Sequence, residues 1–180
     1  MNEKLFAGDP ARLRAPERVA LLELARVVDL CLEAADVQSV LDVGTGTGLF
    51  AEAFAQHGLA VAGMDANPAM IEAVRAQVPA GRFQAAPAED LPYLDAAFDL
   101  VFMGLVLHES DEPLQVLSEA RRVTRKRVAI LEWAYREESF GPPLAHRVAP
   151  AALETWAQQA GFSTVETRQL AQLVLYRLTP

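Results

Sequence analysis

Val40-Leu41-Asp42-Val43-Gly44-Thr45-Gly46-Thr47-Gly48 is the stretch on which the reading of this 180-residue chain turns. Residues 40–43 read as a buried strand that runs out into three alternating glycines. Phe50, Ala53, Phe54 and His57 then recur at i, i+3, i+4 and i+7, so a helix follows and stops at Gly58. Glycines in such a strand-to-helix turn let backbone approach a ligand closely and allow positive φ. The helix start beyond them offers unpaired N–H groups to an anion such as a carboxylate. A tight turn with no ligand needs fewer than three glycines.

The spacing discriminates between ligands. A nicotinamide or flavin fingerprint is G-x-G-x-x-G. Here the third glycine, Gly48, comes one residue early and position 49 is Leu. No Lys-Ser or Lys-Thr pair follows, which excludes a P-loop. Asp42 stands two residues before the first glycine, where it can meet a ligand amino group directly or through water. That suits a zwitterion.

Working outward, residues 61–64 form a second strand ending in Met64-Asp65-Ala66-Asn67. An acid at that point faces the crevice outside the carboxyl ends of the strands and can accept two hydrogen bonds from a ribose diol. Asp65 or Asn67 can equally cap the next helix, which Pro68 opens. That helix carries Ile71, Val74 and Val78. Strands follow at 82–86, 98–103 and 127–133, with a helix from Pro113 bearing Leu114, Leu117, Ala120 and Val123. Leu153, Trp156, Ala157 and Ala160 make a last helical face, closed by Gly161, before strands at 162–167 and 173–178. A helix with Leu21, Ala25, Val28, Leu32 and Ala35 precedes the first strand, and Cys31 beside that stripe reads as core. Alternating strands and helices predict an α/β fold with a parallel sheet. The link around 170–172 is too short for a crossover helix, so the last two strands should pair antiparallel. A plain dinucleotide-binding fold ends with a parallel strand instead.

Composition bounds the rest. Apolar residues make up 52% of the chain, enough for one folded domain without staples. One cysteine excludes an intrachain disulfide framework or a Cys-rich zinc site and fits a reducing, cytoplasmic compartment. Residues 1–10 have mixed charge, so no secretory leader is expected there, and no apolar run is long enough for a membrane span. A net charge of −8 argues against nucleic acid as substrate. The one basic cluster, Arg121, Arg122, Arg125, Lys126 and Arg127, stands where a helix should end and is read as complementing its dipole rather than as a phosphate site.

Asp-x-Gly-x-Gly-x-Gly on the first strand, with an acid ending the second, resembles the class I S-adenosylmethionine-dependent methyltransferases, in particular small members similar to methyltransferase type 11. Ala88-Glu89-Asp90-Leu91-Pro92, then Phe98-Asp99-Leu100-Val101, resemble that family's adenine-side segment and fourth strand. Leu107-His108-Glu109, Asp111-Glu112-Pro113, Glu119-Ala120-Arg121-Arg122-Val123 and Ala160-Gly161-Phe162 continue the likeness from about Gln38 to the C-terminus. The resemblance implies a Rossmann-like seven-stranded sheet of order 3-2-1-4-5-7-6, strand seven antiparallel, with helices on both faces. By position it implies that Gly44, Thr45, Gly46 and Gly48 lie against the methionine part of the cofactor, beside Asp42. Asp65 would hold the ribose, Ala66, Asn67 and Met70 one side of the adenine, and Ala88 and Glu89 the other. Met103, Gly104 and Leu105 would border the methyl group. Two departures stand out. Ala86-Pro87 replaces the usual Gly-Asp, leaving the adenine-amine contact to Glu89 or Asp90 or to nothing. Thr124-Arg125-Lys126-Arg127 replaces a Gly-Gly turn before strand five.

Methyl transfer from a sulfonium is an in-line displacement that asks mainly for proximity and alignment. A general base is needed only where the acceptor must lose a proton. Candidates are His108, Glu109, Glu132 and His146, each with a structural reading beside the catalytic one; His57 reads as a helix-end residue. The Gly- and Pro-containing run 137–147 reads equally as acceptor loop or connector. The N-terminal helical segment, 1–37, with Phe6, Arg12, Leu13 and Arg14, is the candidate lid of a single domain spanning 1–180. A small-molecule acceptor, no metal, and a monomer or homodimer complete the expectation. The competing readings are a nicotinamide-dependent oxidoreductase and a non-catalytic S-adenosylmethionine sensor.

Overall fold

A computed structural model describes residues 10–180. Seven strands form one sheet: β1 (Ser39–Val43), β2 (Ala60–Asp65), β3 (Arg82–Ala85), β4 (Phe98–Gly104), β5 (Thr124–Trp133), β6 (Thr164–Gln169) and β7 (Leu173–Thr179). Their order is β3-β2-β1-β4-β5-β7-β6. The first five are parallel, and β7 runs antiparallel to both neighbours. The order is the one the resemblance implies, and the last two strands pair antiparallel for the reason given: three residues between β6 and β7 permit only a hairpin.

The helices are α1 (Pro16–Leu21), α2 (Leu24–Leu32), α3 (Leu49–Gln56), α4 (Pro68–Gln77), α5 (Pro113–Val123) and α6 (Pro150–Gln159). They cover both faces of the sheet, which gives two cores. On one face α2, α3 and α4 bury Val28, Phe54 and Val74 against Leu100, Phe102 and Leu131. On the other, α5 and α6 bury Leu117, Ala120 and Leu153 against Val101, Met103 and Ile130. Successive residues of β4 thus alternate between the cores, as a strand with two buried faces requires.

The N-terminal helical stretch differs from the expectation of one helix. Glu23 takes left-handed backbone, φ 48°, and breaks it into α1 and α2. Its carboxylate accepts the Ala171 N–H at 2.7 Å, so the break is held by the β6–β7 turn. Cys31 is fully buried, as expected, and burial pushes its thiol up. Leu114 is exposed; the buried face of α5 is Val116, Leu117, Ala120 and Val123.

The basic cluster does not serve chiefly the dipole of α5. Arg127 donates to the carbonyls of Cys31 and Glu33, both at 2.8 Å, at the end of α2 instead. Arg122 pairs with Glu119 and donates to Leu91 O and Tyr93 O. Arg125 and Lys126 flank the buried Asp99 at 2.9 and 3.4 Å. These bonds also explain the missing Gly-Gly turn. α5 runs straight into β5, and the register steps from Phe98↔Thr124 to Leu100↔Arg127, one extra residue on β5. A bulge does the work of the turn.

Candidate functional site

The carboxyl ends of β1, β2 and β4 open into one cavity of ≈ 760 Å³, the size of a small-molecule site. Its floor is the glycine loop. Gly44, Gly46 and Gly48 all have positive φ, at 68°, 53° and 81°. They do different work. A Cβ on Gly44 would stand 2.2 Å from Val106 Cγ2, so this glycine lets the loop meet the segment after β4. Gly46 faces the cavity. Gly48 does not line it, contrary to its implied place against the methionine part. It opens α3, and its Cβ would stand 2.3 Å from Val74 Cγ2, so it serves the approach of α3 to α4.

Two acids stand over this floor. Asp42 is buried and accepts the Thr45 hydroxyl at 2.8 Å. Burial, against the pull of that bond and with Asp65 nearby, pushes its carboxyl up to about 7. Asp65 accepts the Gly46 N–H at 2.9 Å through one oxygen and the Asn67 N–H at 2.8 Å through the other. Burial pushes it up too. A carboxylate has about four lone-pair sites, so each oxygen keeps room for a ligand hydroxyl. The capping role falls to Asn67, whose side chain accepts the Ala69 N–H at 3.0 Å. The Thr47 hydroxyl in the same loop is buried without a hydrogen-bond partner, the one such side-chain atom among the described residues. An orphaned polar atom of this kind costs about 1–3 kcal/mol, and it fits a loop completed by a polar ligand.

Ala66, Asn67, Met70, Ala86, Pro87, Ala88 and Glu89 continue the wall beyond Asp65. Glu89 accepts the Ser110 hydroxyl at 2.6 Å, while Asp90 is exposed and off the wall. On the other side Gly104 and Leu105 line the cavity but Met103 does not. Met103 points into the α5–α6 core, one residue out of phase with the open end of the strand. Leu105 is a non-glycine residue at φ 62°, a conformation that costs about 1–2 kcal/mol and is held by its N–H bond to Leu131 O.

Of the base candidates, the structure joins two. His108 lines the cavity, and its Nδ1 lies 2.9 Å from Glu132 Oε2. Glu132 is fully buried behind it and also accepts the His108 backbone N–H at 3.1 Å. Burial pulls the imidazole down, but the Glu132 bond and charge, helped by Glu109, outweigh it and hold His108 above its usual value. Glu109 lines the cavity as well; His146 is exposed and does not. The 137–147 run brings Pro142 into the cavity wall and folds on Arg147. This buried guanidinium donates to four carbonyls, pairs with Glu138 and lies 5.5 Å over Trp133. His57 closes α3 by bonding Ala53 O at 2.8 Å.

Sequence reasoning missed Arg18, Leu22 and Trp133, which line the cavity, and did not single out Pro142, which lines it from within the 137–147 run. Among the N-terminal candidates, Leu13 lines it too. Arg14 donates to Thr47 O at 3.0 Å and pairs with Glu52. Arg12 is exposed, and Phe6 lies outside the described residues.

Residues 41–131, from within β1 to within β5, match the family model described as a methyltransferase domain. The chain belongs to that family. Among other members, the demethylmenaquinone methyltransferase of Renibacterium salmoninarum is 33% identical over 117 residues, covering 65% of this chain and 49% of that protein. The enzyme of the same name from Thermotoga maritima is 35% identical over 112 residues, covering 59% and 48%. This methyltransferase-domain chain thus spans about half the length of the curated relatives it matches. Among solved structures, a SAM-dependent methyltransferase from Aquifex aeolicus superposes with a TM-score of 0.81 at 23% identity, covering 95% of this chain and 98% of that one. The [4+2]-cyclase SpnF shares the fold at TM-score 0.69 and 24% identity, over 90% of this chain and 64% of its own. The fold by itself therefore does not dictate the chemistry.

Proposed function

We propose that this protein binds S-adenosylmethionine and transfers its methyl group to a small-molecule acceptor, leaving S-adenosylhomocysteine. The observation that carries the reading is the joint placement of Asp65 and the glycine loop on one cavity. Asp65 lines the cavity and fastens Gly46 with one oxygen and Asn67 with the other, one hydrogen bond on each. Family membership supports it independently.

In this reading Asp65 holds the ribose diol and the backbone of Gly44, Thr45 and Gly46 cradles the methionine part. Asp42 faces the amino group. Ala66, Asn67 and Met70 flank one side of the adenine, Ala88 and Glu89 the other. Glu89 stands in for the acid that Pro87 displaces. Gly104 and Leu105 border the transferred methyl. When bound, the cofactor supplies an activated methyl on a sulfonium. The chain's share is alignment: Trp133 and Pro142 keep the acceptor end apolar, and His108, oriented by Glu132, is placed to take a proton where the acceptor has one to lose. The 180 residues act as one domain, monomeric or as a homodimer, with residues 1–37 as its N-terminal cover. Among the described residues no helix is long and apolar enough to cross a membrane. A reducing cytoplasm fits the single buried cysteine.

The test is production of S-adenosylhomocysteine from S-adenosylmethionine on addition of hydroxyl, amine and thiol acceptors. Acceptor-dependent product supports methyl transfer. Tight cofactor binding with no turnover on any acceptor favours the second reading, a non-catalytic binding protein.

A further inference from the structure

Six ionisable side chains line the cavity among the described residues: Asp42, Asp65, Glu89, Glu109, His108 and Arg18. Asp42, Asp65, Glu89 and His108 are each engaged by a named hydrogen bond, and Glu109 also has an interaction of its own. Arg18 is different. It is half-buried, it is the one guanidinium or ammonium in the wall, and it has no hydrogen bond or ion pair among the described residues. A guanidinium carries five N–H donors in a planar fork that matches a carboxylate. Withdrawing it from water without an acceptor is unfavourable, and burial does lower its pKa, with the charge of Glu109 opposing.

Its placement points to one end of the cavity. Arg18 sits on α1, and the segment leading into α1 is clamped on the glycine loop. Leu13 Cδ1 lies 3.4 Å from where a Cβ on Gly46 would stand, and Arg14 holds Thr47 O and Glu52. Leu22, beyond α1, packs into the same core as Phe50 and Leu105. Arg18 is thus carried over the floor on which the proposed function places the methionine part. That part is a zwitterion. Among the described residues the wall offers carboxylates for its ammonium, Asp42 first, and one guanidinium for its carboxylate.

We propose that Arg18 anchors the carboxylate of the cofactor's methionine part, which makes the N-terminal helix a component of the cofactor site. This rests on the proposed S-adenosylmethionine site. A helix holding the cofactor through Arg18 and the loop through Arg14 closes over the bound amino acid from outside the βα core.

The test is calorimetric titration of wild type, Arg18→Met and Arg18→Lys with S-adenosylmethionine and with its decarboxylated analogue, which keeps the amino group. Wild type should prefer the carboxylated form. Arg18→Met should lose about tenfold to a hundredfold in affinity for it, the range of a charge-assisted hydrogen bond, and bind the decarboxylated form as wild type does. Arg18→Lys should recover part of the loss. Unchanged affinity for S-adenosylmethionine overturns the assignment, and so does an equal fall for both ligands, which marks a structural role. Wild type that binds neither compound contradicts the proposed function itself, and the anchor with it.

Discussion

Replacing Gly48 by alanine separates the architectural glycine of the loop from those that face the cavity. Gly48 sits at φ +81°, where an L side chain costs about 1–2 kcal/mol. The new Cβ would stand 2.3 Å from Val74 Cγ2 and 3.2 Å from Val74 Cβ. Val74 is fully buried between α3 and the sheet and cannot swing into solvent. Forcing a methyl into such packing costs about 1–3 kcal/mol more. The sum is about 2–5 kcal/mol, and at about 2–4 °C per kcal/mol for a domain of this size the melting point should fall by about 4–20 °C. Thermal and urea unfolding followed by circular dichroism read this directly. The companion variant is Val74→Ala, which leaves its own cavity but removes the clash. The double variant should therefore lose less than the sum of the singles, by a coupling of about 0.5–3 kcal/mol. A Gly48→Ala protein that melts with its parent, or a strictly additive double variant, refutes the claim that α3 and α4 meet at this glycine.

Gly46→Ala should behave in the opposite sense. Leu13 at 3.4 Å leaves ordinary room for the methyl, so the melting loss is smaller than for Gly48→Ala, while the methyl in the cavity wall weakens binding of S-adenosylhomocysteine. Glu132→Gln should lower the titration midpoint of His108, read from its imidazole resonances by NMR. Because folded His108 titrates above the ordinary imidazole value, its pairing stabilises the protein fully below about pH 6.5 and is lost as pH rises through the folded value. That pH dependence of urea unfolding should vanish in Glu132→Gln. Asp42, raised to about 7, gives a slope of the same sign in a lower window: the folded protein holds a proton that the unfolded chain has released, so stability falls as pH rises from about 4 to 7. If ionised Asp42 faces the amino group, affinity for S-adenosylhomocysteine rises through pH 7, and the slope disappears in Asp42→Asn.

The α/β alternation, the closing hairpin and the glycine loop were legible because each rests on local signals: apolar runs, a short β6–β7 link, and glycines at a spacing no dinucleotide fingerprint has; the order of the strands came with the family resemblance. Sidedness was not. Both faces of β4 are buried, so its residues show no period that tells Met103, turned into the α5–α6 core, from the cavity-lining Gly104 beside it. Nor does spacing tell a glycine that admits a ligand from Gly48, which admits Val74. The His108–Glu132 pair joins residues from the ends of two neighbouring strands, and each was a candidate without the other being its visible partner. Arg18 gave no signal, since an arginine on an amphipathic helix reads as solvated until the helix is docked over the cavity. Arg127 read as belonging to α5 because it follows α5 in sequence; the fold hands it to α2.

The most direct test of the central claim is calorimetric titration of the folded wild-type protein with S-adenosylhomocysteine, with NAD as control and Asp65→Ala alongside. The adenosyl thioether should bind, NAD should not, and affinity should fall by about tenfold to a hundredfold or more when the Asp65 carboxylate is removed from the ribose. A folded protein that ignores S-adenosylhomocysteine, or that binds it equally well without Asp65, contradicts that claim.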